Sequence, residues 1–175
     1  DSAECYINLS RIYRKSYRVK DSIKILERSL KFVSDSTSHL TELALLYREN
    51  NQLERCFDCL KIGNAIDPEN IFILELLASS SFSINKFDIA INCFLKLIEF
   101  KPEEKSYLED ISMIFEKQND ISKALEYLKK ILIINRNDTN TLLKIAYLYL
   151  QIGDFIEAKN YFQKSIDIDP LSPDN

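Results

Sequence analysis

A repeat of 34 residues constrains this chain more than any other feature. Pro68 and Pro102 stand 34 apart, Pro170 lies two further periods along, and Arg136 fills the slot between them. In that register the 175 residues give five ungapped units, 3–36, 37–70, 71–104, 105–138 and 139–172. The eighth column reads Ser10, Ala44, Ala78, Ser112, Ala146, and the twentieth reads Ser22, Cys56, Ala90, Ala124, Ala158. All ten are small, although Ala, Ser, Gly and Cys make up fewer than one in five residues of the chain, so the period is not an accident of composition. A fixed period of this size is the mark of stacked supersecondary units, each too small to bury its apolar face alone.

Large apolar residues hold their own columns. The fourth has Tyr6, Leu40, Leu74, Leu108, Leu142, the seventh Leu9, Leu43, Leu77, Ile111, Ile145, and the twenty-fourth Leu26, Leu60, Phe94, Leu128, Phe162. Apolar spacings of three and four are helical, and here they occur twice per unit with a break near the fifteenth position. Each unit is therefore predicted to be a helical hairpin. At the break stand Tyr17, Asn51, Asn85, Asn119 and Gly153, and four of these five are types that tolerate the left-handed conformation that stops a helix. Proline near the thirty-second position ends the second helix, since it has no N–H and disfavours helical geometry just before it. The small columns let the two helices approach closely.

Composition removes several function classes. Two glycines, Gly63 and Gly153, cannot supply a dinucleotide-binding loop, and no phosphate-loop run exists. One histidine, His39, cannot by itself build a zinc site or a triad, and at the start of a helix it reads as a surface or capping residue. Cys56 and Cys59 form a C-x-x-C, but Cys56 belongs to the small column and no second pair completes four ligands, so the pair reads as structural. No cofactor, metal or catalytic residue is predicted. Four cysteines are too few for a disulfide framework, which points to a reducing, cytoplasmic setting. Glu103 beside Glu104, and Glu109 beside Asp110, read as solvated charge because adjacent helical residues do not face each other. A net charge of −4 argues against a nucleic-acid partner, although Arg11, Arg14, Lys15, Arg18 and Lys20 form one basic cluster. No apolar run is long enough for membrane insertion.

These columns resemble the tetratricopeptide repeat (TPR) family. The last unit matches best, with Leu142, Ile145, Ala146, Tyr149, Gly153, Phe155, Ala158, Phe162 and Pro170 in the family's favoured places and Ser165 replacing a small Ala. The first unit departs most, at Tyr17, Ser22 and Ser34, and Leu97 and Ile131 are large where the twenty-seventh column is usually small. The resemblance implies an all-α, right-handed superhelical solenoid of five 34-residue helix-turn-helix repeats, one domain over 1–175, with the first helices lining an inner groove. It implies a non-catalytic scaffold that binds a peptide or helix of a partner protein within a multi-protein assembly. The family's groove positions fall on Asn8, Arg11, Arg14 and Lys15 (basic), Glu42 and Leu45 (mixed), Phe72, Glu75, Leu76 and Phe82 (largely apolar), Glu109, Asp110 and Met113 (acidic), and Lys144 and Tyr147 (mixed).

Two known TPR specialisations find no match. The chaperone carboxylate clamp wants basic and asparagine residues where this chain has Ile7, Thr41, Glu75, Glu109, Leu143 and Arg11, Leu45, Ser79, Met113, Tyr147. The asparagine ladder of glycosyltransferase-type superhelices would need more than Asn8 in the column Asn8, Glu42, Leu76, Asp110, Lys144. The alternative function is the targeting arm of an enzyme whose catalytic domain lies outside these residues. RNA-binding repeats resembling the pentatricopeptide type run at 35 and are basic, so period and charge both disfavour them. Polar caps are not seen at either end, and Tyr161, Phe162 and Ile166 would lack a covering helix. The expectation is a fragment of a longer solenoid, with homo-oligomerisation through its uncapped ends.

Overall fold

The computed structural model describes residues 2–32 and 36–170. Among these residues the chain forms ten α-helices and no strand: α1 Ser2–Lys15, α2 Val19–Ser29, α3 Thr37–Glu49, α4 Leu53–Ile66, α5 Ile71–Ser83, α6 Phe87–Phe100, α7 Lys105–Lys117, α8 Ile121–Ile134, α9 Thr139–Gln151 and α10 Phe155–Ile168. They fall into two compact units, Asp1–Cys93 and Phe94–Asn175, divided within α6. In the first unit α1 packs on α2, α2 on α3, α3 on α4 and α4 on α5; in the second α7 packs on α8, α8 on α9 and α9 on α10.

One turn is used five times. Tyr17, Asn51, Asn85 and Asn119 have φ between 57° and 59°, and Gly153 has φ 80°. At each, the next residue's N–H reaches back five positions, Arg18 to Tyr13 O (2.9 Å), Gln52 to Tyr47 O (2.8 Å), Lys86 to Ser81 O (2.8 Å), Asp120 to Phe115 O (2.8 Å) and Asp154 to Tyr149 O (2.9 Å). The left-handed residue itself donates three positions back, as Asn51 does to Arg48 O at 3.1 Å, which completes a Schellman stop. Tyr17 obeys the same geometry although its side chain does not favour it, at a cost of about 1–2 kcal/mol. The repeat's packing overrides local preference there.

The small columns meet where they are expected to. All ten residues are buried, and in the first hairpin the two serines bond each other, Ser10 Oγ to Ser22 Oγ at 2.7 Å and Ser22 Oγ to Ser10 O at 2.8 Å. Ser112 Oγ likewise donates to Ala124 O at 3.3 Å. Serine is thus tolerated at the crossing because its hydroxyl finds a partner across it. The large columns are covered on the helices between α1 and α10, with Leu26, Leu74, Ile111, Leu128 and Ile145 fully buried. Leu9 on α1 is 38% exposed and Phe162 on α10 is half-buried, since among the described residues each of these helices is covered on one side. Column twenty-seven is closed whatever its size, by Ser29, Gly63, Leu97, Ile131 and Ser165 alike.

Second helices stop two residues before the proline slot, at Ile66, Phe100, Ile134 and Ile168. The stop at Ile134 precedes Arg136, so proline helps but is not required. α2 ends earlier, at Ser29, and its slot residue Ser34 lies outside the described residues, as do Pro173, Asp174 and Asn175. Following helices start on side-chain caps: Ser36 accepts from His39 N, Asn70 from Ile73 N, and Asp138 from Thr141 N. His39 takes part in this cap, one of the two places the sequence offered it, and corrects the other, a surface position. It is 1% exposed, with Nδ1 3.1 Å from the Ser36 hydroxyl, because the third residue of α3 turns inward beneath the cap.

Candidate functional site

Within the first unit the first helices α1, α3 and α5 present one connected surface. Arg11 on α1 pairs with Glu42 on α3 at 3.6 Å, and Arg14 Nε donates to Glu49 Oε2 at 2.7 Å. Helical spacing places Arg11 and Arg14, three residues apart, on one face of α1, with Lys15 following at i+4. A cleft of about 560 Å³ opens between the two helices, lined by Arg11, Arg14, Lys15, Tyr17, Glu42 and Glu49. A second cleft of about 250 Å³ shares Arg11 and Glu42 and adds Thr41, Leu45, Phe72 and Ile73. Phe72 is 53% exposed, a large apolar surface left facing water. Asn8 is exposed on α1, whereas Glu75, Leu76 and Phe82 on α5 are half-buried, with Phe82 packed on Phe87 at 6.2 Å between ring centroids.

In the second unit the joint between first helices carries the opposite order of charge. Glu109 on α7 lies 3.7 Å from Lys105 and 3.6 Å from Lys144 on α9. Lys105 also hydrogen-bonds Asp138, the N-cap of α9, and this ties the hairpin α7–α8 to the next. Burial works against the Asp138 charge, but the Lys105 ammonium and the Thr141 N–H outweigh it and hold the carboxyl below its ordinary range. Asp110 goes the other way. Burial and then the neighbouring Glu109 carboxylate raise it, with Lys144 pulling back. Glu109 and Asp110 are thus half-buried, and Glu109 is ion-paired, a correction to the solvated charge expected from adjacency. Met113 is 41% exposed and Tyr147 57% exposed, the latter edge-on to Phe162 at 5.3 Å.

Sequence reasoning missed Tyr17 and Lys105, and expected Glu49 on the groove face without its partner. Glu49 and Lys105 act through partners more than thirty residues away, and Tyr17 stood out only as a poor turn residue. The basic cluster is also less free than the sequence suggested. Arg11, Arg14 and Arg18 each face an acid, Arg18 through Asp21 at 2.8 Å. Cys56 and Cys59 are buried thiols; burial raises both, Cys59 to about 12, with the Cys56 and Asp58 charges adding to it. Thiols held protonated are neither nucleophiles nor ready metal ligands. Among the described residues no helix is long and apolar enough to cross a membrane.

Residues 15–97 match the sequence model described as anaphase-promoting complex, cyclosome, subunit 3, and residues 139–170 match the one described as tetratricopeptide repeat. The chain is 22% identical over 169 residues, 94% of its length, to a BBSome complex member BBS4 homolog of Drosophila melanogaster. It is 23% identical over 128 residues to general transcription factor 3C polypeptide 3 of Homo sapiens, 70% of this chain and 14% of that protein. It spans about a third of the length of the BBSome relatives it matches. A crystal structure of MamA protein superposes with a TM-score of 0.80 at 18% identity, covering 96% of this chain and 92% of that one. The left-handed turn recurring every 34 residues and the buried small columns on either side of it go with a match to the tetratricopeptide repeat over residues 139–170 and with the fold of the MamA structure.

Proposed function

We propose that the chain is a non-catalytic protein-interaction scaffold of five consecutive repeats, 3–36, 37–70, 71–104, 105–138 and 139–172, whose first helices hold a peptide or helix of a partner protein. The reading is carried by Phe72. It is an aromatic more than half exposed in a cleft to which α1, α3 and α5 all contribute, rimmed by the charges of Arg11 and Glu42. Exposed aromatics within a charged rim are the usual anchors of protein interfaces. Tyr147 in the second unit has the same character. A role in a multi-protein assembly accords with relatives named as a BBSome complex member and as a general transcription factor polypeptide. The buried histidine and the protonated cysteines accord with a non-catalytic role.

The test compares the wild-type chain with a Phe72→Ala, Leu76→Glu, Tyr147→Ala variant that keeps its helical circular dichroism. Both are used to capture proteins from source-cell lysate. Partners lost from the variant support the first-helix site; partners retained equally overturn it.

A further inference from the structure

We propose that the cleft between α1 and α3 binds an extended acidic peptide segment carrying one apolar side chain, with Tyr17 as its aromatic wall. This deepens the scaffold reading and rests on it. The first observation is the direction of the charges. Glu42 is turned inward, its side chain 11% exposed, while Arg11 and Arg14 are 58% and 41% exposed. A guanidinium carries five N–H donors, so pairing with one carboxylate leaves donors facing the cleft. Lys15 is exposed and has no acid within ion-pair distance among the described residues. Glu49 is as open as Arg14, so the surface offered to a ligand carries three cations, Arg11, Arg14 and Lys15, against one exposed acid.

Tyr17 supplies the second observation. In the other four hairpins the left-handed position is Asn or Gly, and here it is a tyrosine held at φ 58° with 96% of its surface exposed. Nothing packs on the ring to reward that conformation. Strain retained at the mouth of a cleft points to use of the side chain there. The neighbouring cleft, reached past the shared Arg11 and Glu42, ends on Leu45 and Phe72 and takes an apolar side chain. A short run of carboxylates suits this small net positive charge better than the continuous phosphates of a nucleic acid, because Glu42 and Glu49 line the same cleft and offset two of its three cations.

The experiment uses a fluorescein-labelled peptide of alternating Glu and Ser with one central Phe, read by anisotropy against its Lys-for-Glu and Ala-for-Phe counterparts and a labelled oligothymidine. Saturable binding of the Glu/Phe peptide is expected, weaker without Phe and weakening further as salt shortens the Debye length to below about 8 Å. Lys15→Glu is expected to weaken it about tenfold and Tyr17→Asn about threefold or more. Neither change uncovers a buried charge, and Tyr17→Asn relieves the turn, so it is expected to melt higher while binding less. Equal binding by both variants, or preference for the Lys peptide or the oligothymidine, overturns the proposal. Failure of the acidic probe while the Phe72 variant still loses its cellular partners sinks this inference alone; retention of all partners by that variant sinks the scaffold reading beneath it.

Discussion

The two units solve the same packing problem with opposite charges. In the first, the hydroxyl of Tyr47 on α3 donates to Glu27 on α2 at 2.7 Å, and Arg55 of α4 lies over the ring at 5.6 Å. In the second, the equivalent Tyr149 on α9 accepts from Lys129 on α8 at 2.8 Å and stacks on Tyr161 at 5.7 Å, and Lys164 caps Tyr161 at 4.5 Å. Each pair spans 20 residues and joins one hairpin to the next. The first-helix faces differ in the same way. Arg11 reaches forward to Glu42 in one unit, and Glu109 reaches forward to Lys144 in the other. The columns that close the core are alike and the contacts between hairpins are not, so the repeat fixes architecture while the joints carry each unit's individuality.

The largest expected effects lie in what the units share. Ala90→Leu in the first unit and Ala124→Leu in the second, both fully buried, should each cost about 1–3 kcal/mol by overpacking the helix crossing. Denaturant midpoints that do not move would remove these residues from the crossing. A difference between the units should follow at the tyrosines. Tyr47→Phe removes a donor to a carboxylate from a buried ring and should cost about 1–1.5 kcal/mol, whereas Tyr149→Phe, whose partner Lys129 is exposed, should cost less than about 0.5 kcal/mol. Equal losses would mean the charge at this joint is immaterial.

Alkaline titration sharpens the same contrast. Burial, then the Glu27 hydrogen bond and charge, raise the Tyr47 phenol above its ordinary value of 10.0. A raised folded value stabilises the fold below the unfolded one and loses that contribution as pH climbs past about 10. Tyr47→Phe should flatten this loss of stability in alkaline melts. Asp138, held below its ordinary range, behaves in reverse: its contribution is present at neutral pH and fades as pH falls through and below the carboxylate range, and Lys105→Ala should weaken that acid dependence.

Smaller gains are expected where the chain departs from its own pattern. Tyr17→Asn should stabilise by about 1 kcal/mol by placing a tolerant residue at φ 58°. Gly63→Ala should add about 0.5–1 kcal/mol, since a Cβ there meets Ile73 at an ordinary 3.5 Å and the helix α4 loses a flexible residue. A lower melting temperature for Gly63→Ala would show that α4 and α5 cannot give way at that contact.

The period, the five turns, the hairpins and the small crossing columns were legible along the chain, because each depends on spacings of three, four and 34 that local backbone geometry repeats. Reading them required no knowledge of which helix meets which. Tertiary packing alone decided that His39 is buried beneath Ser36, that Ser10 and Ser22 satisfy each other, that Tyr17 accepts a left-handed turn, and that Glu42, Glu49 and Lys105 find partners more than thirty residues away. Long polar side chains have many rotamers and no period of their own, so their partners are chosen only once the helices are side by side.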